Sequence, residues 1–97
     1  MPTWDKTERF QKDWAELGTG EREAFRAAVV KMVEDLRAGR GFRKGLRIKG
    51  VKQADGVYEM TWASDGRATF QYGSPRAPGE AHIIWRRIGT HEIFGNP

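Results

Sequence analysis

The chain has no cysteine, four prolines among its 97 residues, two histidines and no long apolar run. Each shortage removes a class of protein. Without cysteine there is neither a disulfide framework nor a thiolate zinc site, which fits a reducing cytoplasm. No apolar run approaches the roughly 20 residues that cross a bilayer, and the first 20 residues carry no signal-peptide core, so no membrane association is expected. His82 and His91 stand far apart without an HExxH pattern or an acidic cluster beside them; no metal site is expected. The glycines of GRGFRKG lack the Gly-Lys-Ser/Thr ending of a phosphate loop and read as a helix-to-strand linker. Neither Ser64 nor Ser74 has the surroundings of a nucleophile elbow. No cofactor is expected either.

What is present suits a single compact domain over residues 1–97, with 38% hydrophobic and 11% aromatic residues to build its core. The net charge of +4 is unevenly placed. Residues 1–40 hold eight basic and eight acidic side chains, whereas residues 41–97 hold nine basic and five acidic ones. Arg40, Arg43, Lys44, Arg47, Lys49 and Lys52 follow one another with no acid between them. A solvated basic loop and strand would account for this run; so would an electrostatic footprint for a polyanion, nucleic acid above all.

Periodicity divides the chain at the same place. Phe10, Trp14 and Leu17 form the stripe of a short amphipathic helix, with Thr7 as its N-cap and Gly18 and Gly20 as its stop. Phe25, Ala28, Val29, Met32, Val33 and Leu36 form a second stripe, and Gly39 ends it. Such a pair predicts an antiparallel helical hairpin with balanced, solvent-facing polar sides. Beyond Gly39 the period becomes two. Strands are predicted in GLRIKG, GVYEMTW and RATFQY, with a tight turn at Ser64-Asp65-Gly66, and a last strand over 81–88 (AHIIWRRI). Trp4 and its neighbours add a short first strand. The expected fold is α+β: a helical hairpin packed on one face of a small, mainly antiparallel sheet of four to five strands. Leu46, Ile48, Tyr58, Met60, Trp62, Phe70 and Tyr72 would face the helices. Arg47, Lys49, Glu59, Thr61, Arg67 and Gln71 would share the opposite, open face. In the last strand, Ile83/Trp85/Arg87 and Ile84/Arg86/Ile88 are both acceptable core sets.

A cationic open face with a histidine near its end has a chemical use. Metal-free RNA cleavage needs a base for the 2′-hydroxyl, cations for the charged pentacovalent phosphate and an acid for the 5′-oxygen. Histidine is a natural acid or base at neutral pH, arginine supplies fixed bidentate charge, and a rim aromatic stacks on an unpaired base. His91, Arg67, Arg87, Glu59 and Phe94 are the residue types that this chemistry requires.

At this point the chain resembles the RelE/ParE superfamily of bacterial toxins from type II toxin–antitoxin systems. FQKDWAELGTGEREAFRAAVVKMVEDL resembles the helical hairpin of the RelE branch, including its Lys-x-Trp-x-x-Leu-Gly segment. GVYEMTW followed by GRATFQY is similar to the paired strands of HigB-like members, and RIGTHEIFG to the Gly-Thr-His ending of YafQ-like members. The resemblance implies a ribosome-dependent endoribonuclease that cuts mRNA in the ribosomal A site, is neutralised by an antitoxin protein, and is monomeric when free. It implies Arg67 as phosphate stabiliser, His91 as acid, Arg87 four residues before it, and Phe94 as the C-terminal aromatic. Glu59 is chemically suited to be the base, or it is a structural glutamate paired to a nearby cation. Arg43, Lys44, Arg47, Lys49 and Lys52 are the expected RNA-binding cations. The resemblance also favours Arg87 on the open face, with Arg86 on the helix side or reaching outward. The ParE branch, which shares the fold but binds DNA gyrase without nuclease activity, is the alternative; a degenerate basic RNA-binding domain is a third.

Overall fold

The computed structural model describes residues 2–97. Strand β1 (Thr3–Lys6) leads into helix α1 (Glu8–Ala15), helix α2 (Thr19–Ala38), and strands β2 (Lys49–Gly50), β3 (Val57–Ala63), β4 (Gly66–Gly73) and β5 (His82–Gly89). All five strands form one sheet in the order β1-β5-β4-β3-β2. Only the β1–β5 pair is parallel; the others are antiparallel. The α+β architecture expected from the sequence is the one observed.

Local chemistry sets the helix ends. The Thr7 hydroxyl oxygen accepts from the Phe10 amide at 3.1 Å and donates to the Arg86 carbonyl at 2.9 Å, so one side chain both caps α1 and fastens it to β5. The Gly18 amide donates to the Glu21 carboxylate at 2.9 Å, opening α2. Gly20 lies inside α2 and does not help to end α1. α2 stops at Gly39, whose φ of 68° is the left-handed conformation that glycine adopts without a Cβ penalty.

The helices and sheet bury Phe10, Phe25, Ala28, Met32, Met60, Ala68, Phe70, Ile83, Trp85 and Ile88. Phe25 and Phe70 each meet Trp85 edge-on, at 5.1 and 5.3 Å between ring centroids. Each large side chain withdrawn from water in this way contributes about 1.5–3 kcal/mol.

Three expectations need correction. The predicted strand GLRIKG is mostly irregular: Lys44–Leu46 is a 3-10 turn, Arg47 has a φ of 49°, and only Lys49–Gly50 pairs with β3. Leu46 is still buried, because the turn, rather than an alternating strand, points it at the core. Tyr72 is on the helix side of β4 but 43% exposed, against the rings of Tyr58 and Phe70. Its burial raises the phenol pKa, and the nearby Tyr58 adds to this.

The third concerns the open face. Thr69 and Ile93 are buried where the C-terminal 3-10 turn His91–Gly95 and the residues after it fold over the β4–β5 end of that face, and Val51 and Val57 are buried as well. Opposite β4, Thr69 faces Arg87 whereas Phe70 faces Trp85, so Arg86 is the extra residue of a β-bulge. The bulge resolves the ambiguity of the last strand: Ile83, Trp85 and Ile88 all join the core, a combination that neither strict alternation contains.

Candidate functional site

The strand register lines up Lys49, Glu59, Thr69 and Arg87 across β2, β3, β4 and β5. The Lys49 ammonium is 3.9 Å from the Glu59 carboxylate; the lysine side chain is exposed and the glutamate side chain mostly covered. Thr69 donates its hydroxyl proton to the Pro97 carbonyl at 3.1 Å. The sequence-derived open face is therefore present, but it is partly roofed at its β4–β5 end.

The bulge changes what the two consecutive arginines do. Arg86 is not on the helix side: its Nε donates to the Pro97 carbonyl at 3.1 Å and its Nη1 to the Gln71 side-chain oxygen. Arg87 stands opposite Thr69, and its Nη1 donates to the Asn96 carbonyl at 3.0 Å. Its Nε and Nη2 donate to the Asp13 carboxylate at 2.7 and 3.3 Å. Asp13 also accepts from the Ile88 amide at 3.2 Å, satisfying β5 where β1 no longer covers it. Both side chains of the Arg87–Asp13 pair are nearly buried, at 12% and 11% exposure. Asp13 belongs to the helical side that sequence patterning assigned to solvent.

The same correction applies to Arg43. Its backbone amide and guanidinium bind Asp35, its Nη2 reaches Glu34, and it also donates to the Lys31 carbonyl, all on α2. The Arg43 hydrogen bonds hold the Asp35 carboxyl below the ordinary carboxylate range, and Asp35 in turn raises the arginine. Arg43 is thus spent on the helix and does not belong to the open face. Lys44, Arg47, Lys49 and Lys52 are exposed.

At the other end of the face, Arg67 turns its Nη1 towards the carbonyls of Ala63, Ser64 and Gly66, at 3.3, 3.4 and 3.0 Å. Those carbonyls belong to the β3–β4 turn. Asp65 at its tip lies 2.9 Å from Nδ1 of His91, and both side chains are well exposed. The hydrogen bond with His91 holds the Asp65 carboxyl below its ordinary value. His91 opens the C-terminal turn, Thr90 caps it, and Gln53 donates to the Phe94 carbonyl at 3.0 Å, tying the turn to the loop after β2. Phe94 itself is half-buried. The structure brings Glu59, Lys49, Arg67, Arg87, His91 and Phe94 to one side of the sheet.

The two histidines differ. His82 is buried with Nδ1 2.7 Å from the Thr3 hydroxyl, holding β1 to β5, while the His91 ring is open to solvent. Among the described residues no group of three or more His, Asp or Glu side chains could hold a metal ion, and no helix is long and apolar enough to cross a membrane. Asp13 and Asp65 escaped the sequence reading because helical and turn periodicity assign them local roles; their partners lie 74 and 26 residues away.

On the helix side, a groove of about 680 Å³ opens between β1, α1 and α2, lined by Trp4, Phe10, Trp14, Val29, Val33 and Leu36 among others. Trp4 and Val30 are 63% and 59% exposed at its margin. Arg22 and Arg26 lie over the Trp14 ring at 5.5 and 5.2 Å.

No protein-family model matches the chain, and no curated protein does. Solved structures do. The RelB–RelE antitoxin–toxin complex of Methanococcus jannaschii matches at a TM-score of 0.59 and 16% identity, over 94% of each chain. The DinJ–YafQ toxin–antitoxin complex of Escherichia coli matches at 0.62 and 11%, over 94% of this chain and 93% of that one. A copper-bound mutant toxin from Helicobacter pylori matches at 0.61 and 14%, over 95% and 97%. At such identities the likeness concerns the backbone, and there it spans nearly the whole chain: this protein has the fold of the RelE- and YafQ-type toxins.

Proposed function

We propose that the protein is the toxin of a type II toxin–antitoxin pair and acts as a ribosome-dependent endoribonuclease on mRNA displayed in the A site. The observation that carries the reading is an exposed histidine, oriented by a carboxylate, at the rim of the cationic sheet face of a RelE/YafQ-type fold. In this reaction the 2′-oxygen attacks the adjacent phosphorus and the P–O5′ bond breaks. A base takes the 2′-hydroxyl proton, and the leaving 5′-oxygen receives one. Glu59 is the candidate base, and His91, with Nε2 unencumbered by Asp65, is the acid. Lys49, Lys52 and the remaining donors of Arg67 supply positive charge to the phosphate; Phe94 is the aromatic for a base to stack on. Arg87 contributes by fixing β5 and the C-terminal turn, since Asp13 and Asn96 already occupy its donors. No step in this scheme calls on a metal ion.

The partner that restrains such a toxin is an antitoxin protein, and the apolar groove beside Trp4 and Val30 is a suitable surface for one of its segments. Arg22 and Arg26 on the same side favour an acidic partner.

The test is to induce the protein and its His91→Ala and Arg67→Ala variants, and to map mRNA ends on translating ribosomes. New ends within codons that disappear in both variants are expected. Growth arrest with intact mRNA would instead support the gyrase-binding alternative.

A further inference from the structure

The His91–Asp65 contact joins two backbone segments that are each held independently. On one side, Gly66 is buried, and a Cβ there would lie 2.6 Å from the Trp62 ring, so the β3–β4 turn is seated directly on that indole. Arg67 clasps the same turn through three carbonyls. On the other side, Ile93 is buried and its Cγ2 comes within 3.0 Å of where a Cβ on Gly89 would lie, anchoring the turn that begins at His91. Two exposed side chains are thus presented to each other by covered backbone, which lowers the entropy lost on pairing them.

An exposed ion pair of this kind adds little to stability. Its chemical effect is larger. A carboxylate that accepts from Nδ1–H fixes which imidazole nitrogen carries the proton in the neutral ring, and it stabilises the imidazolium when both nitrogens are protonated. Nε2 is then the nitrogen that exchanges a proton with a ligand.

We infer that Asp65 is a positioning residue for His91, setting its tautomer and orientation, and that Arg67 acts on the same histidine by fixing the turn that carries Asp65. The inference rests on the proposed role of His91 as general acid. It gives Arg67 a second function besides phosphate binding, one exerted through the backbone.

Nitrogen-15 NMR of the histidine ring in the full chain tests the structural half without reference to activity. In the parent, neutral His91 is expected as the Nδ1–H tautomer; in Asp65→Ala it reverts to the Nε2–H form, and in Asp65→Glu, which keeps a carboxylate acceptor, it stays Nδ1–H. Arg67→Ala should give a mixture. Cleavage on translating ribosomes tests the functional half. Asp65→Ala should lose on the order of tenfold to a hundredfold, less than the loss of the acid itself, and Asp65→Glu should regain part of it. An Nε2–H ring in the parent, or a tautomer indifferent to Asp65→Ala, overturns the inference. So does parent-like cleavage by Asp65→Ala when His91→Ala is inactive. Parent-like cleavage by His91→Ala overturns the reading of His91 first, and the role of Asp65 with it, even when the tautomer responds.

Discussion

Arg87 and His91 are four residues apart, each paired with an aspartate distant in sequence, yet the two pairs serve different ends. The Arg87–Asp13 pair is nearly buried, uses three guanidinium hydrogen bonds counting Asn96, and closes the join between α1 and β5. The His91–Asp65 pair is open to water and joins two turns at the rim of the sheet. Burial makes the first pair costly to disrupt, because an unpaired charge left inside has no water to replace its partner. Exposure makes the second energetically slight but leaves its ring nitrogen accessible. A side chain paired to an aspartate is a structural clamp in one environment and stays open to solvent in the other.

The largest effect should come from breaking the clamp. Asp13→Ala is expected to destabilise the protein by about 3–5 kcal/mol, read as a lower urea midpoint. The double replacement Asp13→Leu with Arg87→Met should recover much of that loss, because it removes both charges together. A small effect of Asp13→Ala would place the pair in the same energetic class as the exposed one. Next in size, Thr7→Ala removes both the α1 cap and its bond to β5, and should cost about 1–2 kcal/mol in the same assay.

The exposed cations give a finer test. If Lys49 and Lys52 contact RNA phosphates, replacing either by alanine should reduce the slope of log affinity against log salt by about 1, as measured by titration on a single-stranded RNA. Arg43→Ala should leave that slope unchanged, since Asp35 and Glu34 already hold its guanidinium. A slope that falls equally for all three would erase the distinction between Arg43, held by several hydrogen bonds, and the two solvent-exposed lysines.

The smallest effects concern pH. Arg43 depresses the Asp35 carboxyl, so the pair's contribution to stability is present above the ordinary carboxylate pKa and is lost as pH falls through the depressed one. The gap in urea midpoint between parent and Arg43→Gln should therefore be widest near neutrality and close in acid. Asp65 follows the same sign through its hydrogen bond with His91, and added salt weakens the effect. A gap that widens in acid would contradict the sign of both.

Much of the fold was legible because local chemistry determines it. Thr7, Gly39 and the stripe of Phe25, Ala28 and Met32 act within a few residues of themselves, and the period-two run around Met60 and Phe70 specifies its own buried face. The candidate site was legible only in part. The sequence placed Glu59, Lys49 and Arg67 on one face and singled out His91. Period two could not register the bulge at Arg86, since an added residue in β5 is defined only against its partner strand. Nor could it foresee the 3-10 turn at Lys44–Leu46, where alternating residues mimic a strand.

The sequence by itself determined the helices, most of the strands, the core stripe of the helices and of β3 and β4, and the concentration of positive charge after Gly39. Tertiary structure decided how that charge is used. It committed Arg43 to Asp35 and Arg87 to Asp13, turned Arg67 towards the β3–β4 turn, and left Lys49, Lys52 and the His91 ring open. Charge is a property of a residue, but its availability depends on partners that folding brings from the other end of the chain.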